Sequence, residues 1–311
     1  EQTVSCVVRE VSRDLERSGW PMLHVIDRRG ADPRTGLYSE EFVAVARATR
    51  GRLVAVLNRR GRARLLACAG CGELVRCEVC GRTMEEHDAA LVCAACGAQR
   101  PGLCAACGHM KLKTLRIGVS RAREELAALL GTEVAEVSGA ADGVVPDAGV
   151  LVGTEAVLHR VRSADLVAFL DFDIHLLAPR LSAGEESLTL LARAARLVGG
   201  RAAPGAGLVV VQTRLADHEV LTAATSGNPT VLLEHELAVR RELDLPPFCA
   251  MAELSGPGAA AFFGALGLEG SALGDERWLV RALDHDTLCD RLGETPRPKE
   301  RVRVMVDPAG V

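Results

Sequence analysis

The sequence contains few lysines and few aromatic residues. Of its 37 lysines and arginines only three are lysines (Lys111, Lys113 and Lys299), and aromatic side chains make up 3% of the 311 residues. So few aromatic rings exclude extensive stacking on single-stranded bases. No lysine follows a glycine, so the sequence has no G-x-x-x-x-G-K-[ST] phosphate loop.

Long apolar runs and a secretory signal are also missing. No apolar stretch approaches the roughly 18 residues of a membrane span, and the chain opens with Glu1 inside what is expected to be a continuing domain. We therefore expect a cytoplasmic fragment of a longer protein, without membrane contact. With 48% apolar residues, 311 residues can bury a large core.

Eight of the eleven cysteines form four copies of one motif, C-x-x-C-G. The copies are Cys68-Ala-Gly-Cys71-Gly72, Cys77-Glu-Val-Cys80-Gly81, Cys93-Ala-Ala-Cys96-Gly97 and Cys104-Ala-Ala-Cys107-Gly108. This turn directs two sulfurs at one Zn²⁺, and its glycine can adopt a positive φ. Eight thiolates fill two tetrahedral sites with no open position, which predicts two structural zinc ions. A disulfide framework is the alternative, and the absence of a secretory signal disfavours it.

The four motifs could pair in a nested, tandem or alternating order. Twelve residues separate Cys80 from Cys93, which is room for a short hairpin. In the nested order, Cys77, Cys80, Cys93 and Cys96 share one ion, and Cys68, Cys71, Cys104 and Cys107 share the other. The tandem order would join Cys71 and Cys77 across five residues, which is tighter. Spacing therefore favours nesting. Because the cysteines fill both sites, we expect His87 and His109 to be solvated.

Positive charge is concentrated on both sides of the cysteine motifs, although the net charge is −4. Seven arginines and no acid lie between Arg47 and Arg64, and further basic residues follow the last motif. Contacts to nucleic acid would be led by phosphates and sensitive to salt. The candidate residues are Arg59, Arg60, Arg62, Arg64, Lys111 and Lys113. The alternative is a solvated arginine surface balanced by acids elsewhere.

Short apolar strands alternate with helices over most of the chain, which indicates an α/β fold with a parallel sheet covered on both faces. Expected strands include 23–27, 53–57, 150–152, 166–170 and 208–212, and Ser39 is expected to cap a helix. The paired prolines Pro246 and Pro247 predict a boundary before a small α+β domain with strands at 251–254, 278–283 and 301–306. The predicted domains are 1–66 with 114–247, the cysteine-rich insert 67–113, and 248–311.

An insert with eight cysteines that follows Leu57-Asn58-Arg59-Arg60-Gly61 in an α/β domain resembles the primosomal protein N′ family, the replication-restart helicase PriA. Other matching segments are Val152-Gly153-Thr154-Glu155, Phe169-Leu170-Asp171-Phe172-Asp173, Val211-Gln212-Thr213, His218, Arg241-Glu-Leu-Asp-Leu-Pro-Pro-Phe248 and Val304-Met-Val-Asp307-Pro308. The resemblance covers essentially all 311 residues. It implies a C-terminal fragment with the second RecA-like helicase lobe, its two-zinc insert in the nested order, and the C-terminal domain.

Several motifs of the family are altered in this sequence. The resemblance implies Gln-Val-Ala-Gly-Arg-Ala-Gly-Arg at the interface between lobes, where this chain has Leu197-Val-Gly-Gly-Arg201-Ala-Ala-Pro204. Arg201 is then a residual helicase-motif arginine, and no catalytic residue is assigned. The stretch after Glu155 and the shortened segment 138–149 also differ, as in actinobacterial-type members with degenerate helicase motifs. Asp171 and Asp173 imitate a Walker B carboxylate, but a metal role is not favoured.

The resemblance implies a DNA-binding component of the replication restart primosome that recognises forked DNA and helps reload the replicative helicase. Its expected partners are forked DNA, single-stranded DNA-binding protein and helicase-loading factors, and its expected location is the nucleoid in the cytoplasm. Enzymatic activity is not expected, and ATP would be bound only if the missing N-terminal region carries a phosphate loop. The alternatives are an active ATP-dependent 3′→5′ DNA helicase and a zinc-ribbon adaptor that binds only proteins.

Overall fold

The computed structural model describes residues 11–31, 36–57, 66–87, 90–93, 96–114, 119–137, 144–274 and 276–308, with the backbone alone at His87 and Thr114. The strands in these residues are β1 (Met22–Asp27), β2 (Leu53–Val56), β3 (Leu66–Cys68), β4 (Met84–His87), β5 (Ala90–Cys93), β6 (Gln99–Pro101), β7 (Leu112–Thr114), β8 (Ala135–Val137), β9 (Val150–Gly153), β10 (Leu166–Phe169), β11 (Leu208–Thr213), β12 (Ala250–Ser255), β13 (Glu269–Gly274), β14 (Arg277–Ala282) and β15 (Arg303–Val306). The helices are α1 (Arg13–Gly19), α2 (Glu40–Ala48), α3 (Val119–Leu130), α4 (Val157–Arg160), α5 (Asp173–Leu176), α6 (Ala183–Val198), α7 (Glu219–Ser226), α8 (Pro229–Glu242), α9 (Ala259–Leu266) and α10 (His285–Glu294). Among the residues described, none of these helices has the length and apolar character needed to cross a membrane.

Six strands form one parallel sheet in the order β1-β11-β10-β2-β9-β8. Alternate side chains of β2 enter opposite cores: Leu53 and Ala55 pack with α2 and α3, whereas Val54 and Val56 pack with α4, α6 and α7. Burial on both faces explains why these strands are continuously apolar. The predicted α/β class, with a parallel sheet covered on both faces, is confirmed.

Local signals fix the ends of two helices. The Ser39 hydroxyl oxygen accepts a hydrogen bond from the Phe42 N–H at 3.1 Å, and Glu40 and Glu41 occupy the first turn of α2. Acidic residues stabilise this end of a helix because its free N–H groups carry partial positive charge. Helix α3 ends at Gly131, which has a φ of 66°, a conformation that glycine adopts without strain.

The segment between β2 and α3 folds as an insert with two small sheets. Strands β3 and β7 pair antiparallel, with Leu66 opposite Thr114 and Cys68 opposite Leu112. Strands β4, β5 and β6 form an antiparallel meander whose first two strands are the hairpin expected between Cys80 and Cys93. A small apolar core that includes Val75, Met84 and Leu91 supports the meander.

The C-terminal part of the chain is a βαββαβ unit. Its antiparallel sheet has the order β13-β14-β12-β15, and the α9 and α10 side chains Phe262 and Leu288 pack in one core with Leu254 and Val280 of the sheet. This is the split βαβ arrangement of ferredoxin-like folds. The predicted small α+β unit is confirmed, but β13 was not predicted. Its sequence Glu-Gly-Ser-Ala-Leu-Gly has no β-branched or aromatic residue, so it lacks the usual strand signal.

Packing divides the chain into two compact units. The first runs to Pro179 and includes Ala183–Leu232, and the second comprises Arg180–Ser182 and the residues from Leu233 onward. The cysteine-rich insert belongs to the first unit. The division falls within α8, and the limits 1–66, 67–113, 114–247 and 248–311 stay a prediction.

Candidate metal centre

The four cysteine turns share one backbone geometry. In the first turn, the Gly72 N–H donates to the Cys68 carbonyl oxygen at 3.0 Å, and the Cys68 N–H donates to the Glu73 carbonyl oxygen at 2.8 Å. The same pair of hydrogen bonds recurs in the other three turns. The closing glycines have φ values between 72° and 78°, a region that strains any residue with a Cβ atom. The glycine of each motif is therefore required by the turn itself.

The turns bring the eight sulfurs together as two groups of four. Within each group all Sγ atoms lie within 4.8 Å of one another. The groups are Cys68, Cys71, Cys104 and Cys107, and Cys77, Cys80, Cys93 and Cys96. We call them the first and the second tetrad. This grouping corresponds to the nested order favoured by spacing.

The sulfur separations fit a tetrahedral metal ion. The Cys68 and Cys107 Sγ atoms lie 3.6 Å apart, and those of Cys77 and Cys96 lie 3.5 Å apart. Four thiolates at the usual Zn–S distance of about 2.3 Å would stand about 3.8 Å from each other. A disulfide bond needs a separation of about 2.05 Å, and all eight cysteines are free thiols. Both tetrads could thus hold a metal ion.

Each tetrad combines two buried and two exposed cysteines. In the first tetrad Cys68 and Cys104 are buried, whereas Cys71 and Cys107 are exposed, and the second tetrad repeats this pattern. The leading cysteine of every turn is buried and the second is exposed. The second cysteine of each turn is therefore the one that solvent reaches.

Backbone N–H groups control the acidity of the buried sulfurs. Burial opposes ionisation of Cys68, but hydrogen bonds from the N–H groups of Cys71 and Gly70 lower its pKa to about 6. For Cys77, hydrogen bonds from the N–H groups of Cys80 and Val79 likewise outweigh the effect of burial and lower the pKa to about 7. The Glu73 N–H favours the Cys71 thiolate, but burial and the neighbouring thiols raise the pKa of Cys71 to about 12. Ionisation of one cysteine thus disfavours ionisation of its neighbours, and a bound cation would favour the form with four thiolates.

The histidines near the cysteines are not part of either tetrad as far as the structure describes them. His109 is exposed, and its ring lies beside Gly70. The side chain of His87 lies outside the described part of the chain. Lys111 is exposed, and Lys113 is partly buried in β7 opposite Ala67.

Within the first unit, the insert packs against the part of the chain that follows the carboxyl ends of β10 and β11. Ala67 and Leu74 of the insert form an apolar cluster with Ile174 and Leu177, and Leu215 packs against it. No sequence pattern predicted this contact, because α5 spans only four residues and shows no periodic pattern. It fixes the insert to the edge of the sheet.

A network of charged side chains lies at the same edge of the sheet. Asp173 is 2% exposed and accepts hydrogen bonds from the Thr213 hydroxyl group and from the Arg214 N–H at 3.0 Å. Arg28, also buried, donates to the carbonyl oxygens of Leu37 and Gly36, each at 2.9 Å. Since β1, β10 and β11 are adjacent and parallel, the residues that follow their carboxyl ends meet.

Desolvation raises the pKa of both aspartates, although Asp171 keeps part of its surface accessible to solvent. The pKa of Asp171 is raised to about 7 by burial and by the charge of Asp173, against the opposing effect of Arg214 and Arg28. Burial also raises the pKa of Asp173, although hydrogen bonds from Thr213 and Arg214 favour its charged form. Among the described residues, neither aspartate belongs to a group of three or more metal-ligating side chains. Both aspartates instead interact with the charges of Arg28 and Arg214 and form one charged network with them.

Comparison with known proteins gives the family context of this geometry. No protein-family model matches the chain. The chain is 30% identical over 213 residues to the replication restart protein PriA of Haemophilus influenzae, a match that covers 62% of this chain and 29% of that protein. It is 34% identical over 209 residues to the probable replication restart protein PriA of Mycobacterium tuberculosis, covering 64% of this chain and 31% of that protein.

The replication restart protein PriA of Bacillus subtilis is 26% identical over 218 residues, covering 64% of this chain and 27% of that protein. This chain is PriA-like. It spans about a third or less of the length of these curated relatives. The two tetrads are thus part of a PriA-like chain whose main sheet is parallel.

Arg201, for which the sequence resemblance implied a residual helicase-motif role, contacts the opposite end of the sheet. Its guanidinium donates to the carbonyl oxygens of Trp20 at 3.3 Å, Pro21 at 3.1 Å and Thr225 at 3.4 Å. Trp20 and Pro21 immediately precede β1, so these bonds lie at the amino edge of the sheet. Leu197, in α6, is buried in the core. Arg201 therefore has a structural environment that its sequence motif did not predict.

Four of the six predicted DNA contacts, Arg59, Arg60, Arg62 and Arg64, lie outside the described residues. Sequence reasoning did not identify Arg28, Arg82 or Arg214 as residues that organise the carboxyl edge. Arg28 and Arg214 each directly follow a strand of the parallel sheet, which is a signal that could have indicated this edge. Arg82 had no comparable signal, because its importance depends on a contact with a distant segment.

Proposed function

We propose that the chain is the DNA-binding part of a replication restart protein, which recognises forked DNA and helps reload the replicative helicase without ATP-driven unwinding of its own. The observation that carries this proposal is the pair of nested cysteine tetrads within a PriA-like α/β chain. The same proposal identifies the larger unit as a RecA-like second helicase lobe.

Each tetrad would hold one Zn²⁺ as a structural ion. Cys68, Cys71, Cys104 and Cys107 would bind one ion, and Cys77, Cys80, Cys93 and Cys96 the other. Four cysteines complete a tetrahedral shell, so zinc would cross-link the turns and supply folding energy to the insert. The small core around Met84 and Leu91 is too limited to hold the insert together without such cross-links.

The position of Arg201 supports the lack of ATP-driven activity. An arginine that stabilises charge on a transferred phosphate must reach the nucleotide, and it contributes about 10³–10⁵ in rate. Arg201 instead donates to backbone carbonyl oxygens at the amino edge of the sheet, and Leu197 offers no polar group. ATP would be bound only if a region outside this chain supplies the phosphate loop.

DNA contacts are proposed for the basic residues that flank the tetrads. A zinc ion with four thiolates carries a net charge of about −2, so the metal centres themselves would repel phosphates. The exposed side chain of Lys111 and the arginines 59, 60, 62 and 64 would offset this repulsion. The contacts would position the backbone of DNA and would not specify its sequence.

Further parts of the proposal rest on the resemblance of the sequence to the PriA family. A replication restart protein would act in the cytoplasm, at the nucleoid. Single-stranded DNA-binding protein and helicase-loading factors are the partners that we infer for the full-length protein.

The test measures two properties of the full-length protein, with a known DNA-stimulated ATPase as positive control. We expect forked DNA to bind in preference to duplex DNA of the same length, and ATP hydrolysis to remain at background when fork is added. DNA-stimulated hydrolysis would instead identify an active helicase. Fork binding whose affinity does not fall with salt would favour the adaptor that binds only proteins.

A further inference from the structure

One apolar face of the insert and the segment around α5 on which it packs bury each other. Ala67 and Leu74 of the insert are at most 6% exposed, and Ile174 and Leu177 are at most 9% exposed. We call residues 174–178 the seat. If the insert were unfolded, the apolar side chains of the seat would lose their cover and face water.

Two hydrogen bonds join the same surfaces. The Arg82 guanidinium donates to the Ala178 carbonyl oxygen, and the Thr83 N–H donates to the Leu177 carbonyl oxygen at 3.4 Å. Arg82 and Thr83 directly follow Gly81, the last residue of the second cysteine turn. The position of both donors therefore depends on the turn that the second tetrad holds.

The seat has little stability of its own. Helix α5 has four residues, and a helix that short is unstable in isolation. On one side Phe172 and Leu176 anchor it in the main core, and on the other side Ile174 and Leu177 depend on the insert. Immediately before it lie Asp171 and Asp173, whose burial is unfavourable for their charged forms.

We propose that metal loading of the insert and folding of the seat are one cooperative step, so that loss of metal loosens residues 174–178 of the α/β unit. This inference rests on the proposal that the tetrads bind zinc. A change at the metal centre would thereby affect the charged carboxyl edge of the sheet, more than 60 residues further along the chain than Cys107, the last cysteine of the insert.

The experiment is hydrogen–deuterium exchange with mass spectrometry on the reduced chain, with zinc bound and after chelation, and with the zinc content measured in parallel. We expect the amides of the seat to exchange about tenfold faster or more after chelation. Amides of β12 in the second unit should not change. Faster exchange confined to 66–114, or an equal increase in β12 from global unfolding, would overturn the inference.

A matched pair of arginine variants tests the contact without removing the metal. Arg82→Ala should speed exchange of the seat about fivefold in the zinc-loaded chain, because it removes a charged hydrogen bond. Arg76→Ala should leave it unchanged, because Arg76 lies at the surface 3.7 Å from Glu73. Equal exchange rates of the seat amides in Arg82→Ala and Arg76→Ala would contradict the proposal. Fewer than two zinc ions per chain would refute the metal assignment, whereas two ions with an unresponsive seat would refute the coupling alone.

Discussion

The Sγ atoms of Cys71 and Cys104 lie 3.6 Å apart, although 33 positions of sequence separate the two residues. The antiparallel pairing of β3 with β7 brings the first and last cysteine turns together. Between them, the β4–β5 hairpin carries Cys93 of the second tetrad. The two tetrads share no cysteine, so a ligand mutation should act first on the centre to which that ligand belongs.

Removing one ligand should therefore empty one centre. We expect Cys96→Ser to lower the zinc content from two ions to one per chain, because a hydroxyl group replaces a thiolate in a four-ligand shell. Elemental analysis of the purified chain gives the number directly. Cys289→Ser is the control, since Cys289 is an exposed thiol in the second unit, and it should retain two ions. Loss of both ions from Cys96→Ser would show that the centres are interdependent.

The Asp171 carboxyl group should make stability depend on pH. Its pKa is raised from 3.8 to about 7 in the folded chain, so the folded state binds more protons than the unfolded state between these values. The contribution of this group to the free energy of unfolding therefore falls as the pH rises through that window and is constant above it. Asp171→Asn should remove the penalty.

We expect Asp171→Asn to be more stable than the natural chain by about 2 kcal/mol at pH 8, and by less at pH 5. Urea unfolding in the presence of zinc at both pH values measures the difference. Asp217→Asn serves as control, because Asp217 is exposed and pairs with Arg29 at the surface. A gain that is equal at both pH values would rule out the titration of Asp171 as its cause.

Lys111 should contribute one phosphate contact to fork binding. Its side chain is exposed, while its carbonyl oxygen accepts a hydrogen bond from the Ala69 N–H at 2.9 Å that substitution leaves in place. Lys111→Ala should reduce the slope of log affinity against log salt by about one for every DNA sequence tested. Lys299→Ala makes the same change of charge in the second unit. An effect of equal size there would indicate a non-specific effect of net charge.

Arg201 should matter for stability and not for ATP hydrolysis. Arg201→Ala removes hydrogen bonds to three carbonyl oxygens and should lower the free energy of unfolding by about 1–2 kcal/mol. Urea unfolding measures this loss, and Arg196→Ala, at an exposed position of α6, should cost little. In full-length protein, loss of DNA-stimulated hydrolysis in Arg201→Ala would contradict a purely structural role.

Sequence patterns predicted the parts of this structure that depend on local spacing. Continuous apolar runs such as Leu53–Val56 predicted buried parallel strands, and the interval between Cys80 and Cys93 predicted the β4–β5 hairpin. Both signals arise from residues close together in the chain. The spacing of the eight cysteines likewise favoured the grouping that the sulfurs adopt.

Features that depend on distant segments were not accessible in this way. Strand β13 forms because β14 pairs with it, despite residues with little preference for strands. The bond from Arg82 to Ala178 spans 96 positions, and the environment of Arg201 depends on Trp20, 181 positions earlier. No local pattern encodes such contacts, because they arise only when the chain has folded.

Strands β3 and β7 are neighbours in one ladder, so the first and last strands described for the insert lie side by side. A module whose two outer strands pair with each other could be exchanged for a short connection without altering the order of strands in the larger sheet. Ile174, Leu177 and Leu215 would then form an exposed apolar patch. A shortened protein without the module would accordingly need polar substitutions at these three positions to avoid self-association.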